Sequence, residues 1–273
     1  MPPSRLARSG LPLLFCIIAL AGACGADDAD DGGGATDPSA AASHDGAAPL
    51  VDPLANGPME PGRYRLTVIP ECPADLLDCP DTASSARPIN VDVTVPAGWD
   101  GNLEFQLLHP SIPAGAEIST ATGAPDGAAL VMGWTTAWVG LHSDPCTPVG
   151  LPGGHQVPDT PVGPTVADFV DAVQAHPGLQ VTEPTDVHLG DHDGQFFGLT
   201  APSDLSSCDN WRPWDPGIYA QGPKNLWDVW VMDVDGDRAL IVANYFPDTP
   251  AEIKTQLRQM AESIRLSLGP GRS

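Results

Sequence analysis

Short runs in which apolar and polar side chains alternate place the strongest constraint on how this chain folds. Residues 63–69 and 89–95 alternate in this way, as strands with one buried face do. Residues 103–108 and 130–139 are further strand candidates. The proline- and glycine-rich stretch 141–164 is predicted to be a long loop that a disulfide ties to the domain. We therefore expect the first half of the domain to be mostly sheet.

Helices are predicted later in the chain. Thr165 as N-cap with Asp168 three residues on is typical of a capping box, and this helix stops before Pro177-Gly178. Near the C-terminus, Thr249 as N-cap and Pro250 at the first helical position begin a second helix. Each helix has one apolar face, formed by Val166, Phe169, Val170 and Val173 in the first and by Ile253, Leu257, Met260 and Ile264 in the second.

Hairpins are predicted at two Asp-Gly pairs. Asp193-Gly194 interrupts residues 187–200, and Asp235-Gly236 interrupts residues 226–246. Type I′ turns favour this dipeptide because both central residues need a positive φ. The predicted fold class is α+β, mainly antiparallel β-sheet with flanking helices.

The first 23 residues are predicted to be a signal peptide. Arg5 and Arg8 supply a positive start, and residues 11–21 form an apolar core that is too short to span a membrane. Small residues then lead into a cysteine, in the sequence Leu20-Ala21-Gly22-Ala23-Cys24. This motif resembles the lipobox of bacterial lipoproteins. The resemblance implies that Cys24 carries acyl chains and becomes the mature N-terminus, which would anchor the protein without a transmembrane helix. The alternative is an ordinary secretory signal that happens to contain Cys24.

Residues 24–49 are predicted to be a lipidated, disordered tether. Residues 25–49 contain no aromatic or large aliphatic side chain, and they carry six acids without a Lys or Arg. Such a segment cannot bury apolar surface, and its charges repel one another. Residues 50–268 are predicted to form a single α+β domain outside the cell membrane.

The cysteines predict two disulfides. Cys16 would leave with the signal peptide and Cys24 would be acylated, which leaves Cys72, Cys79, Cys146 and Cys208. An even number in an exported chain implies two bridges, with three possible pairings. Cys72 and Cys79 bracket a short loop and are the favoured local pair, so that Cys146 would pair with Cys208. A metal site is the weaker alternative, because no Cys-x-x-Cys pair or suitably spaced histidine accompanies them.

Three segments carry a resemblance to a known group of proteins. They are the strand end Val95-Pro96-Ala97-Gly98-Trp99, the hairpin around residues 230–236 and the closing helix that ends at Glu262-Ser263-Ile264. Together they are similar to secreted bacterial lipoproteins with Mog1/PsbP-like domains. The resemblance implies a central antiparallel sheet sandwiched by helices, in accessory or binding proteins without a shared catalytic site. It assigns no functional residue.

The chain is strongly acidic, with a formal net charge of −23 at pH 7. There is no Lys or Arg between Arg87 and Arg212, while residues 91–209 carry fifteen acids. Such a charge argues against binding to nucleic acid and against a polybasic attachment to anionic lipid. The acidic half is interpreted as a solvated surface, with a surface for cations or a basic partner as the alternative.

Two acidic clusters have features of metal sites but are interpreted as turns. One has the spacing that opens an EF-hand loop, but Arg238 stands where glycine is needed. The other could offer histidines and carboxylates to a divalent metal. The members are Asp233, Asp235 and Asp237 in the first, and His188, Asp191, His192 and Asp193 in the second. No metal or cofactor is predicted.

The candidate ligand site is aromatic. Trp211 and Trp214 lie in a proline-rich loop just after Cys208, with Arg212 between them and Tyr219 nearby. We expect this group to be an exposed platform on which a sugar, a peptide or another ligand stacks. The other tryptophans are expected to be mostly core, with Trp134 and Trp138 on one face of a strand and Trp227 and Trp230 on opposite faces of another.

Polar residues flank Cys146 in the long loop. They are His142, Asp144 and His155, and they are either solvated loop residues or part of a site.

Two functions are compatible with these observations. The favoured one is a lipid-anchored accessory or binding protein outside the cell, because the common hydrolase, metalloprotease and phosphate-loop motifs are absent from the sequence. Its partners would be the membrane, through the acyl anchor only, and an unknown protein or small molecule. The alternative is an extracytoplasmic hydrolase with a carboxylate pair drawn from the acidic half.

Overall fold

The structure of this chain is a computed structural model, and most of its regular elements are strands. It describes residues 50–51, 56–68, 89–102, 106–109, 129–132, 140–147, 158–208, 210–215 and 219–269. All of these residues belong to one compact unit, Ala47–Ser273.

An outer sheet of four strands brings both ends of the domain together. In spatial order the strands are β1 (Leu50–Val51), β3 (Gly62–Val68), β4 (Ile89–Val95) and β16 (Arg265–Leu268). The β1–β3 pair is parallel, and the other two pairs are antiparallel. Along β4 the residues alternate between buried and more exposed, as the sequence predicted for residues 89–95. The alternation turns one face of this sheet toward the core.

A central sheet of nine strands forms the middle of the domain. In spatial order the strands are β10 (Gln180–Val181), β12 (His192–Thr200), β14 (Leu226–Val234), β15 (Asp237–Tyr245), β7 (Ala129–Met132), β6 (Gln106–Leu108), β5 (Asp100–Asn102) and β2 (Gly57–Pro58), and β11 (Thr185–Leu189) also pairs with β12. Every described pair in it is antiparallel. A small third sheet consists of β13 (Trp214–Asp215), β8 (Gly140–Leu141) and β9 (Thr160–Pro161).

The turn between β14 and β15 is the one that the sequence predicts. Asp235 and Gly236 have φ values of 54° and 90°, as a two-residue type I′ turn requires. The hairpin interpretation of this acidic cluster is therefore confirmed.

The turn between β11 and β12 is not where the sequence places it. Leu189 pairs with His192, so the connection is Gly190-Asp191, and Asp193-Gly194 belongs to β12. A Cβ atom on Gly194 would collide with the carbonyl oxygen of Val231 on the neighbouring strand. Glycine at position 194 therefore allows β12 and β14 to lie close together, and Gly190, with a φ of 64°, is the glycine of the turn.

The first helix, α1 (Val166–Ala175), begins as predicted. The Asp168 backbone N–H donates to Thr165 Oγ1 at 3.1 Å, and the Thr165 backbone N–H donates to Asp168 Oδ2 at 2.9 Å. These reciprocal bonds form a capping box.

A buried arginine holds the segment that leads into α1. Arg238 of β15 donates from Nη1 to the carbonyl oxygens of Gly163 (2.6 Å) and Thr165 (2.9 Å). Its guanidinium lies 5.3 Å from the centre of the Phe169 ring, and burial lowers the pKa of Arg238 to about 10. This one side chain therefore fixes the position of α1 against the central sheet.

The second helix, α2 (Ala251–Ser263), begins one residue later than predicted. Pro250 is the N-cap and makes no side-chain capping bond, so Thr249 is not the cap. Instead, Thr249 Oγ1 accepts a hydrogen bond from the Phe246 N–H at 2.9 Å, within the turn that precedes the helix. No helix in the described ranges is long and apolar enough to cross a membrane.

Apolar side chains form one core on each face of the central sheet. The first core lies between this sheet, the outer sheet and α2; the second lies between the opposite face, α1 and several loops. Trp230 belongs to the first core and Trp227 to the second, so their predicted placement on opposite faces is confirmed. The result is an α+β domain of mainly antiparallel sheet.

Two predicted strands are described in part. Of residues 103–108 the described strand is Gln106–Leu108, and of residues 130–139 it is Ala129–Met132. Trp134 and Trp138 lie outside the described residues. A further strand, β16, is four residues long and directly follows α2, and it was not predicted.

The capping box predicts a measurable loss of stability. Thr165→Ala should lower the free energy of unfolding by about 1 kcal/mol, because the Asp168 N–H loses its acceptor. Chemical denaturation at pH 7 measures the change. Ser203→Ala, at an exposed loop position, is the control and should have almost no effect; equal losses in both variants would contradict the assignment.

Candidate functional site

The second core is covered by loops that carry most of the sequence-predicted site residues. We call residues 140–147, 158–165, 201–208, 210–215 and 219–225 the loop layer. The small sheet runs through it, with Leu141 opposite Trp214 and Gly140 opposite Asp215. This pairing brings the long loop predicted from the sequence next to the tryptophan-containing loop.

A disulfide fastens these two loops together. Cys146 and Cys208 are bonded, with their Cα atoms 4.6 Å apart and a sequence separation of 62. Nearby, the Arg212 N–H donates to Pro145 O at 2.8 Å, and the His142 N–H donates to Pro213 O at 3.0 Å. The structure thus contains the predicted Cys146–Cys208 bridge. The predicted Cys72–Cys79 bridge lies outside the described residues.

The tryptophans of the loop layer do not form an exposed platform. Trp211 is only 4% exposed and Trp214 only 1%, and both belong to the second core. Their ring centres lie 5.5 and 5.4 Å from that of Trp227, in edge-to-face geometry. The prediction of an exposed stacking surface at Trp211 and Trp214 is therefore wrong. A proline-rich loop has no periodicity that could reveal which of its side chains point inward, and here the large rings close the core.

Arg212, the third residue of the predicted platform, makes an ion pair. Its Nη1 donates to Asp215 Oδ1 at 2.7 Å, and its guanidinium carbon lies 5.9 Å from the centre of the Tyr219 ring. Tyr219 is half-buried, and its carbonyl oxygen accepts a hydrogen bond from Gln221. Arg212 and Tyr219 are thus brought together, but around a carboxylate that the sequence analysis did not single out.

That carboxylate also contacts a buried histidine. Asp215 Oδ2 lies 3.2 Å from His142 Nε2, and His142 is only 1% exposed. On the other side, the carbonyl oxygen of His142 accepts a hydrogen bond from His176 Nε2 at 2.9 Å. His142, Asp215 and Arg212 therefore form one network, and His176 ties it to the end of α1. Hydrogen bonding to a carboxylate is known to fix the orientation and tautomer of an imidazole.

Four buried polar atoms of the loop layer lack a hydrogen-bond partner in the described part of the chain. They are His142 Nδ1, Asn210 Oδ1, Arg212 Nε and Gln221 Oε1. Buried polar atoms are nearly always satisfied, because leaving one unpaired costs about 1–3 kcal/mol. All four belong to the loop layer, which makes this layer the candidate site.

Carboxylates surround the network on the exposed side of the loops. Hydrogen bonds from the hydroxyls of Thr147 and Ser143 lower the pKa of Asp144 and Asp159, and the backbone N–H of Ser206 does the same for Asp204. These groups therefore stay ionised well below neutral pH. The loop layer combines a buried polar network with an anionic rim.

The histidines and acids near the β11–β12 turn point in different directions. His192 Nε2 lies 3.1 Å from Leu266 O, whereas the imidazole Nδ1 of His188 contacts the Asp193 carboxylate. In the part of the chain that the structure describes, no group of three or more His, Cys, Asp or Glu side chains is placed to hold a metal ion. His155 is outside that part.

Some residues of the network could have been found from the sequence and others could not. Asp215 lies three residues after Arg212 in a segment rich in aromatic residues, which is a spacing that allows an ion pair. Gln221 has no comparable signal, because its burial depends on how the loops pack.

Comparison with known proteins adds no family. No protein-family model matches the chain, and no curated protein matches it in sequence.

The ion pair at Asp215 predicts a large destabilisation on truncation. Asp215→Ala should lower the free energy of unfolding by about 3 kcal/mol, because it leaves Arg212 and His142 without their shared acceptor. Asp171→Ala removes an exposed carboxylate from α1 and should change stability by less than about 0.5 kcal/mol. Denaturation curves of both variants give the two changes in the free energy of unfolding. Similar changes in the two variants would contradict the network.

The disulfide predicts a second, independent loss. In the double variant Cys146→Ser/Cys208→Ser the free energy of unfolding should fall by about 4 kcal/mol, because the open chain gains entropy when a 62-residue loop is no longer closed. Adding a reductant to this variant then tests the other bridge. A further drop in melting temperature supports the predicted Cys72–Cys79 bond, and no change argues against it.

Proposed function

We propose that this chain is an exported, lipid-anchored accessory protein whose loop layer binds a polar ligand or a partner protein. The observation that carries this proposal is the group of four buried, unpaired polar atoms at His142, Asn210, Arg212 and Gln221. They lie on loops held by the Cys146–Cys208 bond and by the Asp215 network. Loops fixed by a rigid scaffold in this way are common binding sites.

The disulfide supports an exported location. Disulfides persist in oxidising compartments and are rare in the bacterial cytosol. The signal-peptide pattern of residues 1–23 and the lipobox-like sequence ending at Cys24 agree with export and with attachment by acyl chains. We infer that the domain sits outside the cell membrane.

The architecture supports the proposed kinship with Mog1/PsbP-like lipoprotein domains. That group has a central antiparallel sheet between helices, and here α1 and α2 cover opposite faces of the central sheet. The closing helix and the β14–β15 hairpin are the segments on which the sequence resemblance rests. The kinship agrees with a binding role, since that group has no shared catalytic site.

A hydrolase is less well supported than a binding protein. A carboxylate mechanism needs two carboxyl groups that face one substrate. Two enclosed carboxylates among the described residues, Asp215 and Asp228, lie on opposite sides of the central sheet. They cannot act on the same bond.

The acyl anchor is tested by removing its cysteine. Cys24→Ala should release the protein from the membrane fraction into the soluble extracytoplasmic fraction, because no thiol remains for acylation. Cys16→Ala is the matched control and should stay in the membrane fraction, since Cys16 lies in the segment that is removed. Fractionation and immunoblotting give the result; a Cys24→Ala protein that stays with the membrane would overturn the anchor.

Binding by the loop layer is tested by ligand-induced stabilisation. A panel of sugars, amino acids and short peptides is screened for compounds that raise the melting temperature of the protein. A ligand of the loop layer should lose this effect in Gln221→Leu and keep it in Asp171→Asn, an exposed position on α1 outside the loop layer. Ligands that act equally on both variants bind elsewhere and count against the proposal.

A further inference from the structure

A row of small side chains crosses the central sheet on the face that carries the first core. Gly198 of β12, Asp228 of β14 and Ala243 of β15 are aligned by the strand register. The rows on either side are larger. Phe196, Trp230 and Ile241 form one of them, and Thr200, Leu226 and Tyr245 form the other. Asp228 therefore lies on the floor of a trough, which we call the Asp228 trough.

The trough has α2 at one end and Thr182 at the other. Ala243 is fully buried in the first core, where α2 packs against β15. Gly198 is only half-buried, and a Cβ atom there would come within 3.2 Å of Thr182 Cγ2. Thr182 is held in place by two hydrogen bonds with Gly198, at 2.9 and 2.8 Å. The Thr182 side chain therefore lies beside the place that a side chain at position 198 would take, and Asp228 itself is half-buried.

Asp228 is enclosed without an ion pair. Its only hydrogen bond among the described residues comes from the Tyr245 hydroxyl, at 3.2 Å. Burial raises the pKa of the Asp228 carboxyl, and burial together with the Asp228 charge raises the pKa of Tyr245 to about 12. Burial therefore disfavours the charged form of the Asp228 carboxyl.

Nearby cations do not compensate the charge. Arg258 on α2 lowers the pKa of Asp228, but by less than burial raises it. Lys254 donates to the carbonyl oxygen of Pro247 at 2.8 Å, and its Nζ lies 5.8 Å from the centre of the Tyr245 ring. Both side chains belong to α2.

The walls of the trough are aromatic. Phe196 and Trp230 are in contact, with ring centres 5.2 Å apart, and Tyr245 stands on the other side of Asp228. Phe196 and Tyr245 are each half-buried, so part of each ring is accessible. Aromatic faces next to one carboxylate attract an organic cation, through ring electrostatics and a charge-assisted hydrogen bond.

We propose that the Asp228 trough binds an organic cation, a guanidinium or alkylammonium group that pairs with the Asp228 carboxylate between Trp230 and Tyr245. An anion is excluded by the charge of the floor, and a single carboxylate is too few ligands for a divalent metal. The trough lies on the opposite side of the central sheet from the loop layer, so this site is separate from the proposed function.

The test uses two matched probes and two matched variants. N-acetyl-arginine amide carries the guanidinium, and N-acetyl-citrulline amide is its neutral counterpart. Both are titrated into the isotope-labelled protein in 150 mM salt, and NMR signals of the backbone and the tryptophan indoles are followed. The arginine amide should shift the signals of Gly198, Asp228 and Trp230, while the citrulline amide should shift none of them.

Asp228→Asn separates the loss of charge from the loss of fold. Asparagine keeps an acceptor for the Tyr245 hydroxyl, so the variant should fold, and its affinity for the arginine amide should fall about tenfold or more. Asp171→Asn removes one charge from the exposed face of α1 and should bind as the wild type does. Equal binding by Asp228→Asn and the wild type, or signal shifts outside the trough, would overturn the proposal.

Stability and affinity should respond to pH in a defined direction. The raised pKa of Asp228 means that its favourable contribution is present when the carboxyl is protonated and is lost as pH rises through the folded-state pKa. The melting temperature of Asp228→Asn at pH 7 should therefore equal or exceed that of the wild type. Affinity for the arginine amide should rise over the same pH range, because only the ionised carboxylate pairs with a cation. A pH-independent affinity contradicts a role for Asp228.

The cation can come from a small molecule or from a basic side chain of a protein, and a second titration distinguishes them. A pentapeptide with one central arginine is compared with the arginine amide. Tighter binding of the peptide that still depends on Asp228 indicates a protein partner, and equal binding indicates a small cation. Peptide binding that does not depend on Asp228 counts against the site.

Discussion

The hairpin of β14 and β15 is buried on both of its faces, and the rest of the domain is arranged around that burial. Alternate residues of β14 enter opposite cores, so that Val229 and Val231 pack on one side and Trp230 and Met232 on the other. A strand with two apolar faces cannot remain exposed, because each face must be covered by another layer. The outer sheet and α2 cover one face, and α1 and the loop layer cover the other.

The burial of both sheet faces also explains where charged side chains lie inside the described part of the domain. Each core has a charged side chain at its edge. Asp215 contacts Arg212 and His142 beside the second core, and Asp228 accepts a hydrogen bond from Tyr245 beside the first. The two margins differ in how the charge is treated. Asp215 is neutralised within the chain, whereas Asp228 is left with a single neutral donor. The Asp215 network therefore rigidifies its surroundings, whereas the Asp228 carboxylate can still pair with a ligand.

Local sequence signals predicted the parts of the fold whose physics is local. The alternation in β4, the capping box at Thr165 and the Asp235-Gly236 turn each depend on residues within a few positions of one another. The Asp193-Gly194 turn failed because the backbone of Val231, far away in sequence, needs a glycine beside it. Close approach between strands and turn formation both select glycine, and the sequence alone does not separate them.

The candidate site was harder to predict, because its chemistry depends on packing between distant segments. Cysteine counting identified the Cys146–Cys208 bond, and composition drew attention to Arg212 and Tyr219. The burial of Trp211 and Trp214 could not be predicted, because it follows from the position of Trp227 on a strand that comes later in the chain. The surroundings of Asp228 could not be predicted for the same reason, since only the strand register places it between the row of Phe196 and Trp230 and the row of Tyr245.

The parallel pairing of β1 with β3 has a mechanical consequence. Both ends of the domain belong to the outer sheet, with β1 at one edge and β16 at the other. A pull on residue 50 from the N-terminal side would load the two-residue pairing of Leu50 and Val51 first, and then β2, whose two residues pair with β5 at the edge of the central sheet. These two short edge pairings would therefore separate before the seven-residue pairing of β3 with β4 carries the load.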